Sequence, residues 1–256
     1  NPGFEKVECI EAGCKPESWD VTIPLGSDVV LVIDISGSMR GQKLSDAKAA
    51  AQTFLDQMNP DYDRVGLVNF SAQAFIMSGL TSDFDSLDSF IDSLSATWTT
   101  DIAGGIKNAT SVLSSGDGEV KVQVLLSDGE PNRCLAKTSS TAEAAHCAML
   151  QAATAKDAGI KIYTIGLDMA LGGAAERTLM NISSITGGKY YSAPTSSQLA
   201  EIYVNISREI TNGVSQAYDV YGSYSMMSEA GKGNKAESSL IEATQGSSYR
   251  LEFYIN

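Results

Sequence analysis

Several short, nearly unbroken apolar runs recur along this chain, and they constrain its fold more than any other feature. Residues 28–34 read Asp-Val-Val-Leu-Val-Ile-Asp, and residues 120–126 read Val-Lys-Val-Gln-Val-Leu-Leu. Val65 to Phe70 and Ile160 to Ile165 are similar. A strand exposed on one face alternates apolar and polar residues, whereas a strand buried on both faces reads as a continuous run. Helical stripes lie between the runs. Leu44, Ala47, Ala51, Phe54, Leu55 and Met58 form one stripe, and Phe84, Leu87, Ile91 and Leu94 form a second. Ile102, Ile106, Ala109 and Leu113 form a third. Residues 140–158 are rich in Ala and stop at Gly159, and Leu199, Ile202, Tyr203, Ile206 and Ile210 form a last stripe.

Buried strands alternating with helices predict a doubly wound α/β fold, a mostly parallel sheet with helices on both faces. Gln73 to Met77 follows Val65–Phe70 after a very short link, so that pair is expected as an antiparallel hairpin at one edge. The ends of the chain differ from its middle. Trp19, Val21, Ile23 and Leu25 alternate with polar or proline residues, and Tyr218–Tyr224, Ser239–Thr244 and Tyr249–Ile255 are strand-like. The expectation is a domain over 27–212 and a small β-rich extension made by 1–26 and 213–256.

The chemistry lies where two buried runs end. Val29–Ile33 leads into Asp34-Ile35-Ser36-Gly37-Ser38. Alternate residues of an extended segment project to one side, so Asp34, Ser36 and Ser38 can converge, with Gly37 relaxing the backbone. The run Val120–Leu126 ends in Ser127-Asp128-Gly129. Open parallel sheets bind ligands beyond the carboxyl ends of strands where strand order reverses. If the two strands flank that reversal, Asp34 and Asp128 share a crevice, and a divalent cation relieves their repulsion. All-oxygen donors suit Mg2+ or Mn2+, with Ca2+ also compatible, and disfavour zinc or copper. A third loop, Trp98-Thr99-Thr100-Asp101-Ile102-Ala103-Gly104-Gly105-Ile106, precedes a helix.

Asp-x-Ser-x-Ser after a buried strand, Thr-Asp-Ile-x-x-Gly-Ile at a helix start and Leu-Ser-Asp-Gly after another strand together resemble the metal-ion-dependent adhesion site of von Willebrand factor type A domains. The resemblance covers about residues 27–212. It implies Asp34, Ser36 and Ser38 as first-loop ligands, Thr100 in the second loop (with Thr99 beside it) and Asp128 in the third. It also implies a coordination position left for a partner's carboxylate and no catalytic role. These side chains are expected at a solvent-facing strand end, so replacing them should spare the fold. The resemblance further implies a final helix over 196–211 that in adhesive relatives shifts with ligand. A rigid terminal extension would clamp it here in one state.

Cys9, Cys14, Cys134 and Cys147 fall into two local pairs in polar stretches. Bridges Cys9–Cys14 and Cys134–Cys147 are the economical reading and imply an oxidising compartment; a four-cysteine zinc site would favour short Cys-x-x-Cys spacings. The second bridge would tie an insertion after Asp128, read either as a rim that shapes partner choice or as a stapled loop and helix start.

With 18 Lys plus Arg against 31 Asp plus Glu, the net charge of −13 argues against nucleic acid and anionic membrane as partners. No apolar run reaches membrane-spanning length, so no direct membrane insertion is expected. The first residues are Asn-Pro-Gly, read as a mature or trimmed form. His146 is assigned no role. The Asn-x-Ser/Thr triplets at Asn69, Asn108, Asn181 and Asn205 fall in expected strands or helices, and Glu130 lacks the companions of a hydrolase. The functional expectation is an extracellular, cell-surface or pilus adhesion module for a protein ligand such as a host or matrix protein. The alternative is an intracellular assembly module like the type A subunits of chelatase-type ATPase complexes.

Overall fold

The structure is a computed structural model that describes residues 19–24, 26–213, 215–220, 235–237, 241–242, 248–249 and 252–254. Contacts divide the chain into two units, residues 26–214 and residues 1–25 with 215–256. In the smaller unit β1 (Trp19–Pro24) pairs antiparallel with a strand over Ser215–Val220, from Trp19 opposite Val220 to Pro24 opposite Ser215. Lys235–Glu237 pairs antiparallel with Glu252–Tyr254, and Ile241–Glu242 with Ser248–Tyr249.

The larger unit is built on β2 (Ser27–Asp34), β3 (Arg64–Phe70), β4 (Ala74–Thr81), β5 (Val120–Ser127), β8 (Lys161–Leu167) and β9 (Tyr190–Ala193). A short hairpin, β6 (Arg133–Cys134) and β7 (Lys137–Thr138), lies outside that sheet. The helices are α1 (Gln42–Leu55), α2 (Phe84–Ser93), α3 (Ile102–Ser114), α4 (Thr141–Asp157), α5 (Ala174–Thr186) and α6 (Leu199–Gly213). The six-stranded sheet runs β4-β3-β2-β5-β8-β9, parallel throughout except for the edge pair β3–β4. This is the doubly wound architecture expected from the buried runs, including the antiparallel edge strand, though β4 extends to Thr81 rather than ending at Met77.

The reason β2 reads as an apolar run is visible in its packing. Val29, Leu31 and Ile33 face a core with Phe54 of α1, Ile91 of α2 and Tyr203 of α6. Val30 and Val32 face a second core with Ile106 of α3, Ala148 of α4 and Leu179 of α5. None of these five strand residues is more than 1% exposed, and each contributes about 1.5–3 kcal/mol by burial.

Two elements were not anticipated. The buried face of α5 includes Glu176, Thr178, Ser183 and Thr186, so its apolar stripe is diluted. β9 has only four residues, two of them tyrosines.

The strand order places the functional crevice. From β2 the chain steps to β3 on one side and later to β5 on the other, so the reversal lies between β2 and β5. Asp34 closes β2, and Asp128 follows the last residue of β5.

Candidate metal site

The first loop reaches the third through the Ser38 hydroxyl. Ser36 has extended backbone (φ −66°, ψ 170°), and a 3-10 turn then begins at Gly37. This bend brings the Ser36 and Ser38 hydroxyls to 3.1 Å, and Ser38 Oγ donates to Asp128 Oδ1 at 2.6 Å. Asp34 accepts from the Ser36 amide at Oδ1 (2.7 Å) and from Ser127 Oγ at Oδ2 (2.6 Å). Asp34, Ser36, Ser38 and Asp128 thus form one chain of oxygens across the strand-order reversal.

Two sequence expectations need correction here. Asp34 and Ser36 do not face solvent: Asp34 is fully buried, Ser36 is 1% exposed, and only Ser38 is open to water. Gly37 is not required for backbone freedom, because it is not among the glycines with positive φ. A Cβ there would lie 2.8 Å from the Thr97 carbonyl oxygen, so it is close approach of the second loop that demands glycine. That loop is laced to the first, with the Thr97 amide donating to the Ile35 carbonyl at 2.7 Å.

Thr100 is buried, and among the described residues its hydrogen bonds are to Asn132 rather than to the other four predicted ligands. Its amide donates to Asn132 Oδ1, and its carbonyl accepts from the Asn132 amide, both at 3.1 Å. Among the described residues no hydrogen bond links its hydroxyl to the other four. The neighbouring Thr99 instead accepts from Arg133 Nε at 2.9 Å.

Asp101, which the sequence left without a role, organises the rim. It caps α3 by accepting from the Gly104 amide, and it also accepts from the amides of Leu135 (3.1 Å) and Ala136 (2.6 Å). Leu135 and Ala136 form the two-residue turn between β6 and β7, with φ 49° and 69°. Such turns require positive φ and favour Asn-Gly, so Leu-Ala is strained there and the buried carboxylate holds it. Cys134 of this hairpin is disulfide-bonded to Cys147 of α4, one of the two bridges expected. The other, Cys9–Cys14, lies outside the described residues. The insertion is thus a hairpin followed by a helix with a Ser140–Glu143 capping box.

The charges at the site are unevenly compensated. Burial pushes Asp34 up to about 7, against the hydrogen bonds from Ser127 and Ser36, and the nearby Asp128 charge adds to the rise. No protein cation contacts Asp34 among the described residues. Asp128 does have one: Lys43 Nζ lies 2.9 Å from its Oδ2, and the same ammonium is 3.2 Å from Asp168 Oδ2. Burial works to lower the Lys43 ammonium, and the bonds and charges of Asp128 and Asp168 outweigh it.

The residues fit a hard divalent cation. The two carboxylates and the serine hydroxyls make an all-oxygen set suited to Mg2+, Mn2+ or Ca2+, although among the described residues no three His, Cys, Asp or Glu come together. The Lys43 ammonium is a stand-in positive charge against one of those carboxylates. At the edge of the site Trp98 is 78% exposed, with the Arg40 guanidinium 4.5 Å above its ring.

This fold, with paired loops at the reversal of a mostly parallel sheet, defines a class. The von Willebrand factor type A domain model matches residues 28–205, and the chain belongs to that family. The chain is 32% identical over 216 residues to a UPF0353 protein of Mycolicibacterium paratuberculosis, an alignment spanning 75% of this chain and 63% of that protein. It is 33% identical over 129 residues to the minor fimbrium subunit Mfa5 of Porphyromonas gingivalis, covering 44% of this chain and 10% of Mfa5. The chain thus spans less than two thirds of the length of these curated relatives. Among solved structures, the vWF domain of the type V pili tip protein Mfa5 superposes with TM-score 0.67 at 21% identity, covering 76% of this chain and 98% of that one. The PilB minor pilin of Streptococcus sanguinis superposes with TM-score 0.65 at 15% identity, covering 75% of this chain and 62% of that one.

Proposed function

We propose that this chain is an adhesion module of the cell surface or a pilus that binds a protein partner through a divalent cation. The ion, Mg2+ or Mn2+ with Ca2+ also suitable, would be held by Asp34, Ser36, Ser38, Thr100 and Asp128. The observation that carries this reading is the linking of two aspartates through one loop, Asp34 by the Ser36 amide and Asp128 by the Ser38 hydroxyl, with Asp34 fully buried and touching no protein cation among the described residues. The similarity to a fimbrial subunit named Mfa5 supports a pilus setting, and the Cys134–Cys147 bridge favours an oxidising compartment over an intracellular chelatase-type assembly.

Each residue has a task in this reading. When bound, the cation supplies the positive charge that attracts an acidic side chain of the partner. Asp34 anchors from below, fixed by Ser127 and the Ser36 amide. Ser38, the exposed member, faces the partner's side. Trp98, pre-stacked under Arg40, offers a rigid apolar contact of the kind that anchors interfaces. The β-rich ends serve as a pilin-like or stalk part.

The test uses beads coated with the full chain on host-cell monolayers, in Mg2+ and in chelator. Adhesion in Mg2+ that is lost in chelator and in Asp34→Ala supports the reading. Equal adhesion by wild type in chelator rejects it.

A further inference from the structure

Both carboxylate oxygens of Asp128 have protein partners. Its side chain is fully buried, Oδ1 takes the Ser38 hydroxyl at 2.6 Å, and Oδ2 takes the Lys43 ammonium at 2.9 Å. Lys43 sits in the first turn of α1, a position that on sequence alone resembles any solvated helix lysine. Its side chain is only 29% exposed, and it reaches a second carboxylate, Asp168, 40 residues beyond Asp128.

Asp168 has two unusual properties. It follows β8 directly with φ 52°, the left-handed region that Asp enters more readily than most non-glycine residues, and its amide is pinned to the Ala193 carbonyl at 2.8 Å. Its carboxylate is 62% exposed and contacts the Lys43 ammonium. A solvent-exposed pair of this kind contributes little to stability. The turn does, however, place a second carboxylate within reach of one flexible ammonium.

We propose that Lys43 is a tethered counter-cation that holds Asp128 while the site lacks a divalent ion and passes to Asp168 when one binds. The inference rests on the metal reading above. An ammonium and a divalent ion cannot both sit against Asp128 without strong repulsion. A lysine is suited to the exchange because its charge is a point on a flexible four-carbon stem. Both carboxylates already lie within 3.2 Å of Nζ, so a small rotation of the stem completes the transfer. Cation affinity is thereby set by competition within the protein, with Asp168 reducing the penalty.

Calorimetric titration of the full chain with MgCl2, together with melting temperature in chelator, tests this. Lys43→Met should bind Mg2+ about tenfold or more tighter than wild type, and it should melt lower in chelator because Asp128 then lacks its cation. Lys43→Arg, which keeps the charge, should stay near wild type in both readouts. Asp168→Asn should weaken Mg2+ binding several-fold in the wild-type background and have no effect in Lys43→Met. Two results overturn the proposal: unchanged or weaker binding by Lys43→Met, and an equal loss from Asp168→Asn in both backgrounds, which marks Asp168 as a general negative field. A wild type that neither binds Mg2+ nor changes its melting temperature rejects the underlying metal reading instead.

Discussion

Strand β2 carries a buried aspartate at each end, and the two are treated in opposite ways. Asp28, at the start, is 1% exposed and accepts a two-pronged contact from Arg64, Nε to Oδ1 at 2.8 Å and an η nitrogen to Oδ2 at 2.9 Å. It also accepts from the Gly118 amide at 2.8 Å, and Arg64 reaches Asp117 as well. The neighbouring Asp63 is likewise satisfied, by Ser27 and the Asn59 amide. Asp34, at the other end, is fully buried and receives a hydroxyl and an amide but, among the described residues, no cation. Asp28 carries its own guanidinium, whereas Asp34, at the candidate site, does not.

The difference can be broken by substitution. Asp28→Ala strands part of the Arg64 fork and the Gly118 amide, and it should destabilise the fold by about 3 kcal/mol in urea unfolding. Asp34→Asn, measured in chelator above neutral pH, should leave stability unchanged or raised, because it removes a buried charge that the fold does not neutralise. If Asp34→Asn proves the more damaging of the two, the contrast fails.

The rim is held by different means. Reducing the Cys134–Cys147 bridge should cost about 2–3 kcal/mol of stability, since it closes a loop of 13 residues. Thermal unfolding with and without reductant measures this, and a null result means the hairpin is held by Asp101 alone.

Protonation sharpens the same comparison. Asp34 is raised from 3.8 to about 7 in the folded chain. The folded state therefore binds more protons than the unfolded state in that window, and stability falls as pH rises through it. The contribution is fully present below about pH 4 and gone above about 7. The wild type in chelator should thus lose stability relative to Asp34→Asn between those limits, and saturating Mg2+ should remove the loss. Parallel curves in chelator contradict the assignment.

The smallest expected effect is at the hairpin tip. Ala136 has φ 69°, so Ala136→Gly should stabilise the chain by about 1 kcal/mol through relief of that strain. Unchanged or lowered stability by urea unfolding means the turn is not strained.

What was legible in the sequence follows the range of the interactions. The buried strands and their terminal Asp34 and Asp128 announce themselves locally, because a doubly buried strand must read as an apolar run. The disulfide between Cys134 and Cys147 spans only 13 positions and was also readable. Lys43 and Asp168 were not, because nothing near either residue shows that Lys43 meets both Asp128, 85 positions away, and Asp168. Asp101 was quoted as part of a motif, yet its hold on Leu135 and Ala136 depends on an insertion 34 residues away. The burial of Asp34 was misjudged because a strand end looks open until the loops that cover it are placed. α5 escaped notice because it turns Glu176, Thr178 and Ser183 inward.

The most direct measurement is a calorimetric and thermal-shift titration of the wild type and Asp34→Asn with Mg2+ and Mn2+, against chelator. The account predicts a single site in the wild type with a raised melting temperature, and at least about a hundredfold weaker binding in Asp34→Asn with the fold intact. A wild type that gives no heat and melts at the same temperature in millimolar Mg2+ as in chelator would contradict it.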